Sequence, residues 1–265
     1  VDFRDILYTV TDGIARITLN KPSKLNALSW GSWAEIENAV AMAESDDAVK
    51  VVVFTGAGRG FCAGTDLTAS TPEEDWPARP FPGRSEMMRS RFLATAQVYH
   101  CRKPTIAAVN GACVGAGFSL AMACDIRIAA ESARFSAIFV KRAIVADTGS
   151  TWLLPRLVGP EWAYRLLYTG EIIGARQAEQ IGLVSQVVSD DELPAAADAL
   201  AGTIARGPSV AIELMKRLVQ EGATRGLGEQ IELEQFLQQI THQTEDAAEG
   251  RRSFLEKREP VFKGR

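Results

Sequence analysis

Val51-Val52-Val53-Phe54-Thr55-Gly56, leading into Phe61-Cys62-Ala63-Gly64-Thr65-Asp66-Leu67, decides how this chain is read. A second passage repeats the form: Thr105-Ile106-Ala107-Ala108-Val109-Asn110-Gly111, then Gly115-Ala116-Gly117-Phe118-Ser119-Leu120. In each, an apolar run of strand length ends in a glycine-rich turn. Glycine lets the backbone turn sharply and lets a ligand come close to it. A turn that opens a helix leaves N–H groups without partners, and these can face a negative oxygen. Two such turns meeting at one point would hold an oxyanion, which points to an enzyme.

Outward from these passages, Ile6–Val10 and Ile14–Leu19 flank Asp12-Gly13, the signature of a β-hairpin. Trp33, Ile36, Val40 and Ala43 share one helical face. Residues 68–90 hold Pro72, Pro77, Pro80 and Pro82 and are expected to form a long variable loop. Helical pattern returns over 86–100, and a short helix is expected near 117–123, before an extended Ile126–Ala129. Thr148 to Leu154 should be helical and bend or stop near Pro155. Ile181–Val188 is expected to be the last strand, and everything beyond Asp190 helical, with stripes Leu193/Ala197/Leu200/Ile204, Leu214/Leu218 and Leu233/Leu237/Ile240. Strand, glycine turn and short helix at 51–67 echo again at 105–123, which suggests a wound or spiral core.

The chain has 265 residues, within reach of one large domain or one domain with a small appendage. Its 46% apolar and 23% charged content is that of an ordinary globular protein. A formal net charge of −4 argues against nucleic acid as the main partner. No apolar run is long enough to span a bilayer, and Val1-Asp2-Phe3-Arg4-Asp5 has no signal-peptide pattern, so a cytoplasmic location without membrane contact is expected. Cys62, Cys101, Cys113 and Cys124 form no C-x-x-C pair, and the two histidines are His100 and His242. No metal site is expected, and the thiols should be buried and reduced.

Several pieces in order resemble the crotonase superfamily, the enoyl-CoA hydratase/isomerase family, over about residues 5–264. They are Asn20-Lys21-Pro22 with Leu25-Asn26-Ala27, the run Gly56–Leu67, Lys103-Pro104 leading to Gly111, and Gly115-Ala116-Gly117. Cys124-Asp125-Ile126-Arg127-Ile128-Ala129 and Thr169-Gly170…Ala178…Gly182-Leu183-Val184 continue the match. The resemblance implies an α/β fold, a spiral of ββα units over residues 1–190 carrying the active site, and a helical trimerisation region over 191–265. It implies homotrimers or homohexamers acting on an acyl-CoA thioester, with CoA part of the substrate and no prosthetic cofactor. By position, the amides of Thr65 and Ala116 would grip the thioester oxygen. Lys24, Leu25, Ala27, Ala63, Asp66 and Leu67 would meet CoA, with Asp66 orienting the turn, and Phe254 and Lys257 would add contacts from the C-terminal region. Trp76, Phe81, Met87, Ser119 and Phe139 would wall the acyl pocket.

Relatives that hydrate enoyl-CoA use two glutamates; at the matching places this chain has Ser119 and Phe139. Neither a hydroxyl nor a phenyl ring replaces a carboxylate base. One carboxylate does stand nearby: Asp147, in Ala146-Asp147-Thr148-Gly149 followed by Thr151-Trp152-Leu153-Leu154-Pro155-Arg156. That stretch looks most like the branch that isomerises the ring-epoxide of phenylacetyl-CoA and shifts enoyl-CoA double bonds. A single carboxylate suits an isomerase, removing a proton at one carbon and returning it at another. Three alternatives stay open. Asp147 could act as nucleophile or water activator in a hydratase, hydrolase or dehalogenase; the chain could bind CoA esters without turning them over; or Asp147 could simply cap the helix that follows.

Overall fold

A computed structural model describes residues 2–68 and 94–265. Strands β1 (Ile6–Thr11) and β2 (Ile14–Leu19) form the expected hairpin, with Thr11 opposite Ile14. Asp12 (φ 51°) and Gly13 (φ 79°) both lie in the left-handed region that a tight hairpin turn requires. Helix α1 (Trp30–Ser45) begins with a capping box, in which the Ser29 hydroxyl accepts from the Ser32 amide and the Ser32 hydroxyl accepts from the Ser29 amide. Its buried face holds Trp33, Ile36, Val40 and Ala43.

The core is a double ladder. Strands β3 (Val51–Gly56), β5 (Thr105–Val109) and β7 (Ile126–Ala130) lie parallel in one sheet, ordered β1-β2-β3-β5-β7-β10. Each is followed by a short strand, β4 (Gly60–Cys62), β6 (Ala112–Val114) and β8 (Arg134–Ser136), in a second sheet ordered β4-β6-β8-β9. The repeat is therefore strand–turn–strand. The short helix read into the 51–67 echo does not form before residue 68, because its backbone is bound elsewhere. Ala63 donates to Leu25 (2.9 Å), Leu28 to Gly64 (2.8 Å) and Asp66 to Leu28 (2.9 Å). The second unit is followed at once by a helix, α3 (Ala116–Ala123); before it comes α2, described over residues 94–100.

Both faces of the large sheet are covered, which explains the unbroken apolar runs of β3 and β5. Val51, Val53, Ile106, Ala108 and Ile128 pack against Leu193, Ala197 and Ala201. Val52, Phe54, Ala107 and Val109 point the other way, into the core with Trp33, Phe61, Phe118 and Phe135.

Two expected boundaries move. Helix α4 (Ser150–Thr169) continues through Pro155 and breaks at Gly159 (φ 75°, ψ 164°). Pro155 deprives only the carbonyl of Thr151, an exposed residue of the first turn that water can reach. Pro160 instead forces its predecessor out of helical geometry, and a glycine there yields readily. Residues 181–185 are not strand: β10 is only Gln186–Val188. Helix α5 (Ala175–Gln180), which follows β9 (Ile173–Gly174), ends with Gly182 at φ 78°. Leu183 then donates back to Ala178 (2.8 Å), a helix-closing motif that takes up the chain before the strand begins.

Helices α6 (Leu193–Ala205), α7 (Ser209–Gly222), α8 (Leu227–His242) and α9 (Glu245–Glu256) follow, but the region is not helical to its end: residues 257–265 lie outside any helix, folded back so that the amides of Lys263 and Gly264 bind Asp246. All four cysteines are buried and unbridged. Among the described residues no helix is long and apolar enough to cross a membrane.

Gly117 is the tightest point of the second unit: a Cβ there would lie 2.5 Å from both the Cβ and the carbonyl oxygen of Cys62. Gly117→Ala should therefore cost about 1–3 kcal/mol, read as a lower urea midpoint with an unchanged slope. An unchanged midpoint would show that the two units can separate freely.

Candidate active site

The glycine turns reach one place because their strands are neighbours. β4 and β6 run parallel, with Gly60 opposite Ala112 and Cys62 opposite Cys113, so both chains leave the sheet at the same end. Gly64 (φ 99°) and Gly115 (φ 56°) then abut. A Cβ on Gly64 would sit 3.0 Å from the Val114 carbonyl oxygen and 3.7 Å from the Ala116 nitrogen. A Cβ on Gly115 would sit 3.9 Å from the Gly64 Cα. Among the described residues, neither the Thr65 nor the Ala116 amide has a backbone or side-chain acceptor. Ala116 is the first residue of α3, so its N–H also lies at the positive end of that helix.

Asp147 is half-buried in the segment before α4. It does not cap the helix: Gly149 holds the cap position and no side chain closes it. Thr148 (φ 52°) and Gly149 (φ 83°) are both left-handed and carry the chain away from the helix before Asp147 is reached. The Asp147 carboxylate accepts only a long bond (3.3 Å) from the Thr148 hydroxyl among the described residues. What ties this segment to the glycine turns is a bond between two buried hydroxyls, Ser119 Oγ to Ser150 Oγ at 2.6 Å. Ser119 lies one turn along α3 from Ala116, and Ser150 lies three residues beyond Asp147. Ser119 also donates to the Gly115 carbonyl (3.3 Å). Expected on the acyl-pocket wall, it is fully buried and acts as a brace between the two segments. Phe139 is likewise buried, within the 3-10 turn Ile138–Arg142. Trp76, Phe81 and Met87 lie outside the described residues.

Lys24, Leu25 and Ala27 sit directly against the first turn. Lys24 Nζ donates to Asp66 (2.8 Å) and to the Thr68 hydroxyl (3.1 Å), with Lys21 Nζ 3.8 Å from the same carboxylate. Burial works to raise the Asp66 carboxyl, but the bonds from Lys24 and from the amide and hydroxyl of Thr68 outweigh it and hold it well below the usual carboxylate range. Asp66 is thus the fastener of this edge. Leu25 is left-handed (φ 48°), its carbonyl accepts from Ala63, and Ala27 donates to Lys24 (3.1 Å). Leu67 is 76% exposed beside them. Phe254, 81% exposed, projects from α9, and Lys257 ends that helix at φ 55° with its amide bound to the Phe254 and Ser253 carbonyls.

Sequence reasoning gave no role to Asn26. It is buried and left-handed (φ 58°), and its amide group donates to Ala57 (3.0 Å) and Gly60 (2.7 Å) while its oxygen accepts from Lys21 (2.8 Å). The signal was available: asparagine tolerates positive φ better than most residues and can bond several backbone groups at once. Ser150 had no such local signal.

A two-sheet spiral with abutting glycine turns is the crotonase architecture, and known proteins match it end to end. The sequence model of the enoyl-CoA hydratase/isomerase family matches residues 9–265, and the chain belongs to this family. It is 38% identical over 260 residues to the 1,2-epoxyphenylacetyl-CoA isomerase of Escherichia coli (strain K12), covering 98% of both chains. It is 35% identical to the crotonyl-CoA hydratase of Syntrophomonas wolfei, covering 98% of both. The crystal structure of an enoyl-CoA hydratase subunit from Geobacillus kaustophilus superposes with a TM-score of 0.90 at 35% identity, covering 100% of each chain.

Asp66 sets a pH dependence. Its folded pKa is depressed, so its contribution to stability is full above the unfolded value of about 3.9 and is lost as pH falls through the folded one. Asp66→Asn should be destabilised relative to wild type at neutral pH, and the gap should narrow steadily below about pH 4. Denaturation at pH 7 and pH 3 checks this; a gap that widens in acid would refute it.

Proposed function

We propose that this chain is an acyl-CoA isomerase that moves a double bond, or rearranges a ring, by proton transfer beside a thioester. The observation that carries the reading is the Ser119–Ser150 brace, which holds the segment of the carboxylate Asp147 against the helix that begins at Ala116. The thioester oxygen would accept from the unpartnered amides of Thr65 and Ala116. When a C–H bond beside the thioester breaks, its electron pair moves onto that oxygen as an enolate. Each amide aimed at the growing charge lowers the barrier by about 3 kcal/mol. Asp147 takes the proton, then returns it to a different carbon as the carbonyl re-forms, so the net change is isomerisation. No prosthetic group enters the sequence of steps.

Lys24, Leu25, Ala27, Ala63, Asp66 and Leu67 frame the side of the turns where the CoA portion would lie, with the Lys24 ammonium available to a phosphate. Phe254 and Lys257 would contribute from the C-terminal helices. Exposed Leu227 and Ile231 on one side of α8, with Phe236 on the other, support a homotrimer or a pair of trimers, since one chain leaves these apolar side chains uncovered. The hydratase among the similar proteins supports the same ligand class. Here, however, positions 119 and 139 carry a buried hydroxyl and a buried ring, neither able to activate water.

Asp147→Asn should slow conversion of a 3-enoyl-CoA to its conjugated isomer by about 100-fold or more, followed by the absorbance of the conjugated thioester. Binding of CoA should change little. Turnover within a few-fold of wild type removes Asp147 from the mechanism, and rapid hydration of crotonyl-CoA by the wild type would replace isomerase with hydratase.

A further inference from the structure

Asp5, the residue before β1, is a carboxylate only 5% exposed, and the reaction proposed above does not use it. One of its oxygens, Oδ2, accepts from the Ser29 hydroxyl (2.9 Å) and from the Ser32 hydroxyl (2.5 Å), and Lys21 Nζ lies 3.3 Å from it. Arg4 Nε donates to the other oxygen (3.2 Å). Burial works to raise this carboxyl, but the bonds from Ser32 and Ser29, the Lys21 charge and Arg4 outweigh it and hold it below its usual range. The backbone is held as well: the Asp5 amide donates to Glu35 (2.7 Å), and its carbonyl accepts from Asn20 (2.8 Å).

Two routes lead from Asp5 to the first glycine turn. Ser29 and Ser32 each have a single hydroxyl proton, and giving both to Asp5 leaves both oxygens free to accept the amides of the capping box. That fixes Ser29, and with it Leu28, the residue just before. Leu28 donates to Gly64 and accepts from Asp66, a parallel bridge centred on Thr65. The Thr65 N–H makes neither bond. Neighbouring N–H groups of an extended chain point to opposite sides, so this pair of bonds turns it away from Leu28. The second route is ionic. Lys21 stands between Asp5 and Asp66, 3.8 Å from the carboxylate of Asp66, which directly follows Thr65. A serine capping box closes without an acid, so capping alone does not call for a buried charge here.

We infer that Asp5 is a positioning residue for the proposed oxyanion hole: through Ser29 and Leu28 on one side, and through Lys21 and Asp66 on the other, it sets the direction of the Thr65 amide. The inference rests on the reading above, in which that amide meets a thioester oxygen. It adds to that reading a residue that acts only through others.

The infrared carbonyl stretch of acetyl-CoA, labelled with carbon-13 at the thioester carbonyl and mixed with the intact protein, tests it, since each aimed donor weakens the C=O bond. Wild type should lower the stretch relative to free acetyl-CoA. Asp5→Asn should give back about half of that lowering, because one donor of two is misaimed. The same variant should lower kcat for isomerisation of 3-hexenoyl-CoA by about tenfold, part of the roughly 100-fold or more lost when a donor is removed outright. Affinity for free CoA should change little. Lys21→Met cuts the ionic route and leaves Asp5 with its serines. It should move stretch and kcat the same way by less, and it decides alone if Asp5→Asn does not fold. A purely structural Asp5 predicts a lower urea midpoint with wild-type stretch and kcat in the folded variants; that result overturns the inference while the thioester reading stands. If wild type leaves the stretch at its free value, both fall.

Discussion

The contact between Gly64 and the Val114–Ala116 turn is the constraint on which the rest depends. Two backbones pass so closely that even one methyl group would meet a carbonyl oxygen at 3.0 Å. Such an approach requires that two separate turns leave adjacent parallel strands at the same end. β4 and β6 meet that condition because each is the second strand of a repeated pair, and the pairs stack side by side. The spiral core is therefore a device for delivering two sets of amides to one point. Gly117, pressed on Cys62, holds the helix that supplies the second set.

Around this contact the backbone is held in costly conformations. Leu25, Asn26 and Thr148 are all left-handed without being glycine, each at about 1–3 kcal/mol. Compensation is visible for two of these segments. The Leu25–Asn26 turn is locked by the three side-chain bonds of Asn26 and the three backbone bonds between residues 25–28 and 63–66. The Thr148 turn is anchored by the Ser119–Ser150 bond. Asp12, Ala143 and Lys257 are left-handed too, but they sit at a hairpin turn and two helix ends, where that conformation is ordinary.

The family frame and the reaction are separable. Abutting turns polarise a thioester whatever follows; the side chains arranged around them determine which bond changes. In this chain the proposal gives that choice to one carboxylate on a segment braced by a pair of serines.

Much of the architecture was written locally. The Asp12-Gly13 hairpin, the buried face of α1, the apolar strands β3 and β5 and the two glycine turns follow from period and from the need for positive φ, which neighbours in sequence reveal. Where two local signals competed, the outcome needed the fold: Pro155 was tolerated because its orphaned carbonyl faces solvent, and the break fell at Gly159 beside Pro160. Ile181–Ser185 has strand composition, yet the closure of α5 takes it up. The pairing of Ser119 with Ser150 has no signature in sequence, and at Asn26 the sequence offers only a residue that tolerates positive φ, not the partners it binds. Each depends on segments about thirty residues or more apart meeting at ångström precision, and only packing of the whole chain decides that.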